Sequence, residues 1–430
     1  MNITVKENAR IGEKYYYMKH RSGLDIYVIP KKLTSAYALF CTRYGAVDNC
    51  FRLESEADFT RVPDGIAHYL EHKMFENEDG VDTFSRFAAY GASANAFTSM
   101  EVTAYLFKCT ENFDKNLEIL LDYVTHPYFT SENVQKERGI IAQEIRGRED
   151  WPEVVQYMNL LRALYERSQA KIRVAGTVES IQEIDAKLLY KCYEVFYNLS
   201  NMFLCVAGDV TPEQVLAVAD KMLPVQEEKK IERHYDREGR DPVKKYAEEK
   251  FEVAKPMFLL GVKDGFFSEN ARENQKRRIA MELITETLFG YSSEFAVDVY
   301  ESGLIDELYA DYSSVVAAGS FFMFGGESND VDAAIAKFKE YTEEVKARGI
   351  DEESFERARK FKYAAFVRSF EGTGIAEEFA MSLIKSSDYF DTGDIIAEIT
   401  LDEANAIVRE LFDEKYYAVS VIKPIEKENE

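Results

Sequence analysis

Apolar and polar positions follow the same pattern in the two halves of the chain. Residues 184–210 predict an amphipathic helix, a short polar turn and a β-rich apolar run, and residues 401–425 repeat that order. Residues 24–48 predict a pair of strands, and residues 253–267 predict a similar strand in the second half. A period of roughly 215 residues is too long for a solenoid. The pattern therefore predicts a duplicated α+β domain, each copy with helices on one face of an antiparallel-type sheet.

A densely charged stretch separates the two halves. Residues 226–250 mix acidic and basic side chains with few apolar ones, a composition that buries little surface. We expect an N-terminal α+β domain over residues 1–222, a charged linker over 223–250 and a C-terminal α+β domain over 251–430. A charged surface helix within one domain is the alternative for the linker.

Composition and charge narrow the partners and the location. Among 430 residues, 53 Lys and Arg stand against 77 Asp and Glu, a formal net charge of −24, so we expect no nucleic-acid and no membrane partner. Five cysteines without a CxxC pair argue against a disulfide framework. The polar N-terminus does not resemble a signal peptide, and no apolar run reaches the roughly 20 residues that span a bilayer. A cytoplasmic protein is expected.

Residues 64–76 carry the candidate chemistry. They predict a helix with Asp64 as N-cap, on which His68 and His72 lie on one face and can reach one metal ion. Glu71 lies between them, where it can hold a water on the metal without being a ligand. This is His-x-x-Glu-His, the inverse of the better-known zinc-protease order. The alternatives are ordinary helix histidines, or a structural zinc site, which the lack of nearby cysteines disfavours.

A second predicted helix offers an oxygen ligand. Residues 131–149 predict a helix opened by Ser131, on which Glu137 and Glu144 are two turns apart and share a face. Two histidines and one glutamate form a known ligand set for catalytic zinc. Either glutamate could complete that set if the two helices pack side by side.

Together these motifs resemble the pitrilysin/insulinase family of zinc peptidases. The matching stretches are the His-x-x-Glu-His motif, ERGIIAQE (137–144), GASANAFTSMEVTAYLF (91–107) and AGTVESI (175–181). The resemblance covers essentially the whole chain and is closest to the bacterial single-cassette members. It implies a fold of two homologous halves, which together form one side of a clamshell. It also implies a zinc metalloendopeptidase that hydrolyses short or unfolded peptides.

The resemblance also assigns roles by position. His68, His72 and Glu144 match the ligands of one zinc ion per chain. Glu71 matches the general base that takes a proton from the water on the metal, and Glu137 matches an acid that supports the site.

One strand matches the place where the family receives its substrate. Asn95, Ala96 and Phe97 fall on this strand, where an extended peptide would add to the sheet edge through its main chain. The alternative is an ordinary edge strand whose small residues serve packing.

The second half keeps the scaffold pattern without the chemistry. Residues 279–288 align with the motif helix and place Met281, Ile284 and Thr285 at the first histidine, the glutamate and the second histidine. Active family members also use an Arg and a Tyr seven residues apart to position the substrate and stabilise the oxyanion.

The positions that match this Arg/Tyr pair are Val299 and Asp306, and no Arg occurs between Arg278 and Arg348. We therefore expect a partner chain, in a homo- or heterodimer, to supply the pair. The alternative is a non-catalytic binding or assembly subunit of a peptidase complex.

Overall fold

The computed structural model describes residues 3–315 and 318–425, and their contacts divide into two compact units. The first unit comprises the described residues up to Arg146, together with Ile172–Tyr235 and Val367–Phe390. The second unit comprises Gly147–Lys171, Asp236–Phe366 and the described residues from Asp391 onward.

Strands and helices alternate along both halves. The strands are β1 (Ile3–Asn8), β2 (Glu13–Lys19), β3 (Asp25–Pro30), β4 (Ala36–Thr42), β5 (Cys50–Leu53), β6 (Thr60–Arg61), β7 (Ala92–Thr98), β8 (Thr103–Cys109), β9 (Met202–Gly208), β10 (Ile231–Arg233), β11 (Tyr246–Phe251), β12 (Met257–Asp264), β13 (Asp306–Val315), β14 (Gly319–Glu327) and β15 (Tyr417–Pro424). The α-helices are α1 (Ile66–Lys73), α2 (Thr83–Ala88), α3 (Phe113–Thr125), α4 (Ser131–Glu149), α5 (Pro152–Leu164), α6 (Ala186–Phe196), α7 (Pro212–Met222), α8 (Ala271–Phe289), α9 (Glu294–Glu301), α10 (Val331–Arg348), α11 (Glu352–Ser369), α12 (Ile375–Ile384), α13 (Thr392–Glu398) and α14 (Leu401–Leu411). A bilayer-spanning helix is not found among residues 3–315 and 318–425.

The first unit is built on a seven-stranded sheet with the order β1-β2-β3-β9-β4-β8-β7. Strands β4 and β9 are apolar at nearly every position and almost fully buried, as central strands covered on both faces are. Neighbouring strands are antiparallel except β3 and β9, which are parallel. Strand β7 is the end strand, and its described neighbour is β8 alone.

The second unit repeats this topology. Its five-stranded sheet has the order β11-β15-β12-β14-β13, which corresponds strand for strand to β3-β9-β4-β8-β7, and its parallel pair is β11 with β15. Strand β14 carries an aromatic run, of which Phe321, Phe322 and Phe324 are fully buried. The predicted duplicated α+β architecture is therefore confirmed.

The seven-stranded and the five-stranded sheets each carry helices on both faces, whereas the sequence predicted helices on one face only. In the first unit, α12 packs against β4 and β9, and its Phe379 ring lies 5.3 Å from that of Tyr27, on the face opposite the main core. In the second unit, α5 packs against β12 and β15, where Leu160 abuts Gly261. Each unit thus includes one helix that lies in the other half of the sequence. At these segments the two compact units differ from the predicted sequence halves. The domain bounds 1–222 and 251–430 stay a prediction.

The charged segment contains two short strands joined by irregular chain, so the alternative of a surface helix is wrong. In the first unit β10 pairs with β5, and in the second β11 pairs with β15. Strand β10 is the end strand of a small three-stranded sheet, β10-β5-β6, and β11 is the end strand of the five-stranded sheet. Ladder hydrogen bonds thus hold a segment that has few apolar side chains.

Candidate metal centre

Helix α1 begins where two glycines allow two backbone segments, around residues 65 and 176, to approach each other closely. Gly65 precedes the helix at φ +92°, and a Cβ there would lie 2.5 Å from the carbonyl oxygen of Ala175. Gly176 is equally tight against the carbonyl of Asp64, which accepts a hydrogen bond of 2.7 Å from Ser180 Oγ. The AGTVESI stretch therefore fixes the start of the motif helix.

The prediction that Asp64 caps this helix is wrong. The N-cap is Gly65, and no side chain caps the helix. The carboxylate of Asp64 instead accepts a hydrogen bond from Asn49 Nδ2 at 2.9 Å. The left-handed glycine turns the chain away from a capping geometry, so the carboxylate serves the neighbouring loop.

Helices α1 and α4 pack together as the motif requires. Tyr69 is fully buried, and its hydroxyl donates a 2.5 Å hydrogen bond to the carbonyl oxygen of Val134. Helix α4 begins at Ser131, as predicted. The hydroxyl that accepts a hydrogen bond from the backbone N–H of Asn133 at its start is, however, that of Thr130. This packing brings glutamates of α4 opposite the histidines of α1.

His68, His72 and Glu144 converge on one point. Their candidate ligand atoms all lie within 4.8 Å of one another, and Glu144 Oε2 lies 3.7 Å from His68 Nε2 and 3.6 Å from His72 Nε2. Zinc bonds of about 2.0–2.1 Å at tetrahedral angles would place ligand atoms about 3.3–3.4 Å apart. The Glu144 oxygen is within a few tenths of an ångström of this spacing from both histidine nitrogens, so the residues present fit a zinc ion.

Glu137 contacts the ring nitrogen of His72 that faces away from Glu144. Its Oε1 lies 2.9 Å from Nδ1 of His72, so Nδ1–H can donate to the carboxylate while Nε2 faces Glu144. Such a carboxylate fixes the tautomer and the orientation of a ligating imidazole. Of the two glutamates left open by their spacing, Glu144 is the one whose carboxylate converges with both histidines, and Glu137 lies against the other side of the His72 ring.

The same contacts shift the pKa values of the pair in opposite directions. Burial lowers the pKa of His72, but the hydrogen bond to Glu137 and the charges of Glu137, Glu71 and Glu144 outweigh it, so the pKa is raised. Burial raises the pKa of Glu137, yet its hydrogen bond with His72 brings it below the ordinary value. Both shifts favour the imidazolium–carboxylate form of the pair over the neutral form.

We expect zinc uptake by the metal-free chain to release protons. Because the raised pKa keeps His72 protonated at a higher pH than an ordinary histidine, the metal must displace a proton, and zinc affinity should rise with pH through about 6.5 and above. Calorimetric titration with zinc in buffers of different ionisation enthalpy counts these protons. Zinc uptake without proton release at about pH 6.5 would contradict the raised pKa.

Glu71 is held by a residue to which the sequence assigned no role. Thr98 Oγ1 donates a 2.6 Å hydrogen bond to Glu71 Oε2, and it also lies 3.2 Å from Thr103 Oγ1, which donates to the carbonyl oxygen of Tyr44. Thr98 lies two residues after Ala96, so alternation along the strand places both side chains on one face. This alternation along the strand is the feature of the sequence that could have identified Thr98.

The strand beside the site is β7, the end of its sheet. Ala92, Ala94 and Ala96 pack against the core on the Thr98 face, while Asn95 lies exposed on the other face with Phe97 half-buried. The predicted Asn95–Ala96 pair thus divides between the two faces, and the outer backbone edge carries no partner strand among the described residues.

The second unit has no equivalent of this centre among its described residues. Helix α8 covers the aligned positions, and Met281 and Ile284 are fully buried apolar residues. At the places expected for the Arg/Tyr pair, Val299 is buried and the Asp306 carboxylate forms an ion pair with Lys255.

Comparisons with known proteins agree with this division. A profile described as Insulinase (Peptidase family M16) matches residues 60–178, and one described as Peptidase M16 inactive domain matches residues 183–361. The chain is 38% identical over 413 residues to a Bacillus subtilis (strain 168) protein named Uncharacterized zinc protease YmfH, covering 94% of this chain and 95% of that one.

Two further proteins, one of them known as a crystal structure, are similar to the chain. The crystal structure of a putative M16-like peptidase from Alicyclobacillus acidocaldarius superposes with a TM-score of 0.92 at 34% identity, covering 98% of this chain and 100% of the other. Over a shorter stretch, the chain is similar to the mitochondrial-processing peptidase subunit beta of Caenorhabditis elegans, with 29% identity over 184 residues, 41% of this chain and 38% of that one.

Proposed function

The chain belongs to the insulinase family, peptidase family M16, and we propose that it is a zinc metalloendopeptidase, or the catalytic subunit of one, acting on short or unfolded peptides. The observation that carries the proposal is the convergence of His68, His72 and Glu144, with Glu71 beside them and the edge strand next to Glu71. Its relatives named zinc proteases support the same reaction class.

The residues divide the work of hydrolysis. His68, His72 and Glu144 would hold one zinc ion, which when bound polarises the peptide carbonyl and lowers the pKa of water to about 7. Glu71 accepts the proton as the water oxygen bonds to the carbonyl carbon, and it returns that proton to the leaving amine as the C–N bond breaks. Glu137 keeps the His72 ring oriented.

The substrate would pair with β7. An extended peptide can add to its outer edge, where Asn95, Ala96 and Phe97 offer backbone groups close to Glu71. Main-chain pairing reads little of the peptide's sequence, so cleavage would be weakly selective. The need for an extended strand explains the preference for short or unfolded peptides.

Replacing Thr98 with Val should lower kcat about tenfold while zinc content stays unchanged, because Glu71 loses the donor that orients its carboxylate. Val preserves the shape of Thr but not the hydroxyl. Steady-state hydrolysis with a fluorogenic unstructured peptide measures the change, and Thr98→Ser, which restores a hydroxyl, should recover most of it. Equal rates for Val and wild type would remove Thr98 from the site.

Full activity would require a partner chain that supplies the Arg/Tyr pair, in a homo- or heterodimer. The matching positions here hold a buried Val299 and an ion-paired Asp306. A relative named as a subunit supports an assembly of this kind. Light scattering on the purified chain measures the oligomeric state. A chain that is monomeric and inactive alone would indicate that the partner is a different protein.

A second candidate function is a non-catalytic binding subunit, which the missing Arg/Tyr pair favours. Mass spectrometry of a mixture of unstructured peptides, incubated with the zinc-loaded chain and with Glu71→Gln, separates the two. Cleavage by the unmodified chain alone supports the peptidase. Peptides bound equally by both proteins and cut by neither support the binding subunit.

For location, we propose the cytoplasm. All five cysteines are buried free thiols, the state that a reducing compartment maintains. Fractionation of the source cells tests this, and recovery outside the cytoplasm would overturn it.

A further inference from the structure

The second unit contains a cavity of about 100 Å³ that is distinct from the metal centre. It lies beside the end of β12 and is lined by basic and aromatic side chains, among them Lys263, Arg237, Arg240, Arg277 and Tyr165. Glu238 and Asp264 are the acidic residues of the lining. We name it the Lys263 cavity. A basic lining is unexpected in a chain with a net charge of −24.

Lys263 is a buried cation without a hydrogen-bond partner. The residue is 3% exposed, and its Nζ has no acceptor within hydrogen-bond distance among the described residues. The nearest acid is Glu238, whose Oε2 lies 3.8 Å away. Glu238 already accepts hydrogen bonds from the backbone N–H groups of residues 166–168.

Burial leaves the Lys263 ammonium group short of compensation. Burial lowers the pKa of Lys263 and outweighs the opposing effect of the Glu238 and Asp241 charges. An ammonium group has three N–H donors, and burying it costs free energy unless another group supplies an acceptor.

The other charges of the cavity do not supply that acceptor. Asp264 is engaged by Arg277 through two hydrogen bonds of 2.9 Å and by the Tyr312 hydroxyl at 2.7 Å. Arg240 donates to three carbonyl oxygens, which carry no net charge. Arg237 lies at the surface with its guanidinium 3.4 Å from the centre of the Phe267 ring. The lining thus holds four cationic side chains and two carboxylates, and one of the cations, Arg277, also pairs with Glu410 at 3.2 Å.

We propose that the Lys263 cavity binds a small oxyanion, a phosphate or a carboxylate group. Oxygen atoms of the anion accept from Lys263 Nζ inside the cavity, and Arg237 contributes charge at its mouth. A cavity of about 100 Å³ has room for several water molecules, since about 10–15 Å³ of such space is enough for one, so it admits an anion of this size. The Glu238 carboxylate opposes binding, but its three N–H donors offset much of its charge.

Calorimetric titration of the zinc-loaded full chain with sodium phosphate, and separately with sodium acetate at matched ionic strength, tests the site. We expect saturable binding, at least tenfold weaker in Lys263→Met because a hydrogen bond to a charged group is lost. Lys337→Met is the matched control, since Lys337 lies on α10 and pairs with Asp298 at the surface. Saturation by phosphate alone identifies a phosphate site, and saturation by both identifies a carboxylate-tolerant one.

Anions can also bind zinc, so His72→Gln serves as a second reference. Binding kept in His72→Gln and lost in Lys263→Met supports the Lys263 cavity, whatever the outcome for peptide hydrolysis. Binding lost in His72→Gln and kept in Lys263→Met places the anion at the metal and overturns the proposal, as does the absence of saturation. If Lys263→Met does not fold, the exposed Arg237→Gln should weaken binding severalfold, and an unchanged affinity overturns the proposal.

Discussion

Replacing Glu71 with Gln is expected to lower kcat/KM for peptide hydrolysis by a factor of about 10²–10⁴. Gln is nearly isosteric and can still accept the Thr98 hydrogen bond through its amide oxygen, so the geometry of α1 is preserved. An amide, however, does not take a proton from water at neutral pH. Because Glu71 is not among the three converging ligand groups, zinc content should remain that of the unmodified chain.

Glu78→Gln is the matched control for this substitution, because Glu78 is an exposed glutamate shortly after the same helix. Its rate should equal that of the unmodified chain. A Glu71→Gln protein that retains full activity and zinc would show that another group is the base. A protein that loses zinc as well would show that Glu71 helps to hold the metal.

Replacing Glu144 with Gln is expected to weaken zinc binding by at least about 100-fold. Even groups behind the ligands typically contribute 10–100-fold to metal affinity, and Glu144 supplies the one oxygen ligand and the negative charge of the set. An amide oxygen is a neutral and weaker donor. Competition with a chromophoric zinc chelator measures the affinity, and hydrolysis should fall with zinc occupancy and return in part when zinc is added in excess.

Glu149→Gln controls for this prediction, since Glu149 is exposed near the end of the same helix α4. Its zinc affinity should match that of the unmodified chain. If Glu144→Gln bound zinc as tightly as the control, the third ligand would have to be another residue. Glu137 would then be the first candidate, because it already contacts His72.

The sequence was most informative where chemistry depends on local spacing. Helical periodicity places His68 and His72 on one face of α1, and the same rule pairs Glu137 with Glu144 on α4. Spacing could not decide which glutamate reaches the histidines, because that depends on how α4 packs against α1. The Tyr69–Val134 hydrogen bond helps to fix that packing, and it is a tertiary contact.

Contacts between distant segments account for what the sequence did not predict. The start of α1 is shaped by the close approach of Gly65 and Gly176, which lie 111 residues apart, and a local reading assigned the cap to Asp64 instead. Likewise, an amphipathic pattern shows that α5 and α12 bury one side but not which sheet each covers. The duplication of the α+β pattern was predictable in outline, because strong apolar runs mark the interior strands β9 and β15.

Anomalous diffraction from crystals of the chain, recorded on both sides of the zinc absorption edge, tests the metal centre most directly. The account predicts one zinc peak per chain, about 2.0–2.1 Å from Nε2 of His68 and of His72 and about 2.0–2.2 Å from a carboxylate oxygen of Glu144. Glu137 should remain on Nδ1 of His72, outside the coordination sphere. A chain purified without chelators and supplied with zinc that shows no peak among these three residues would contradict the account.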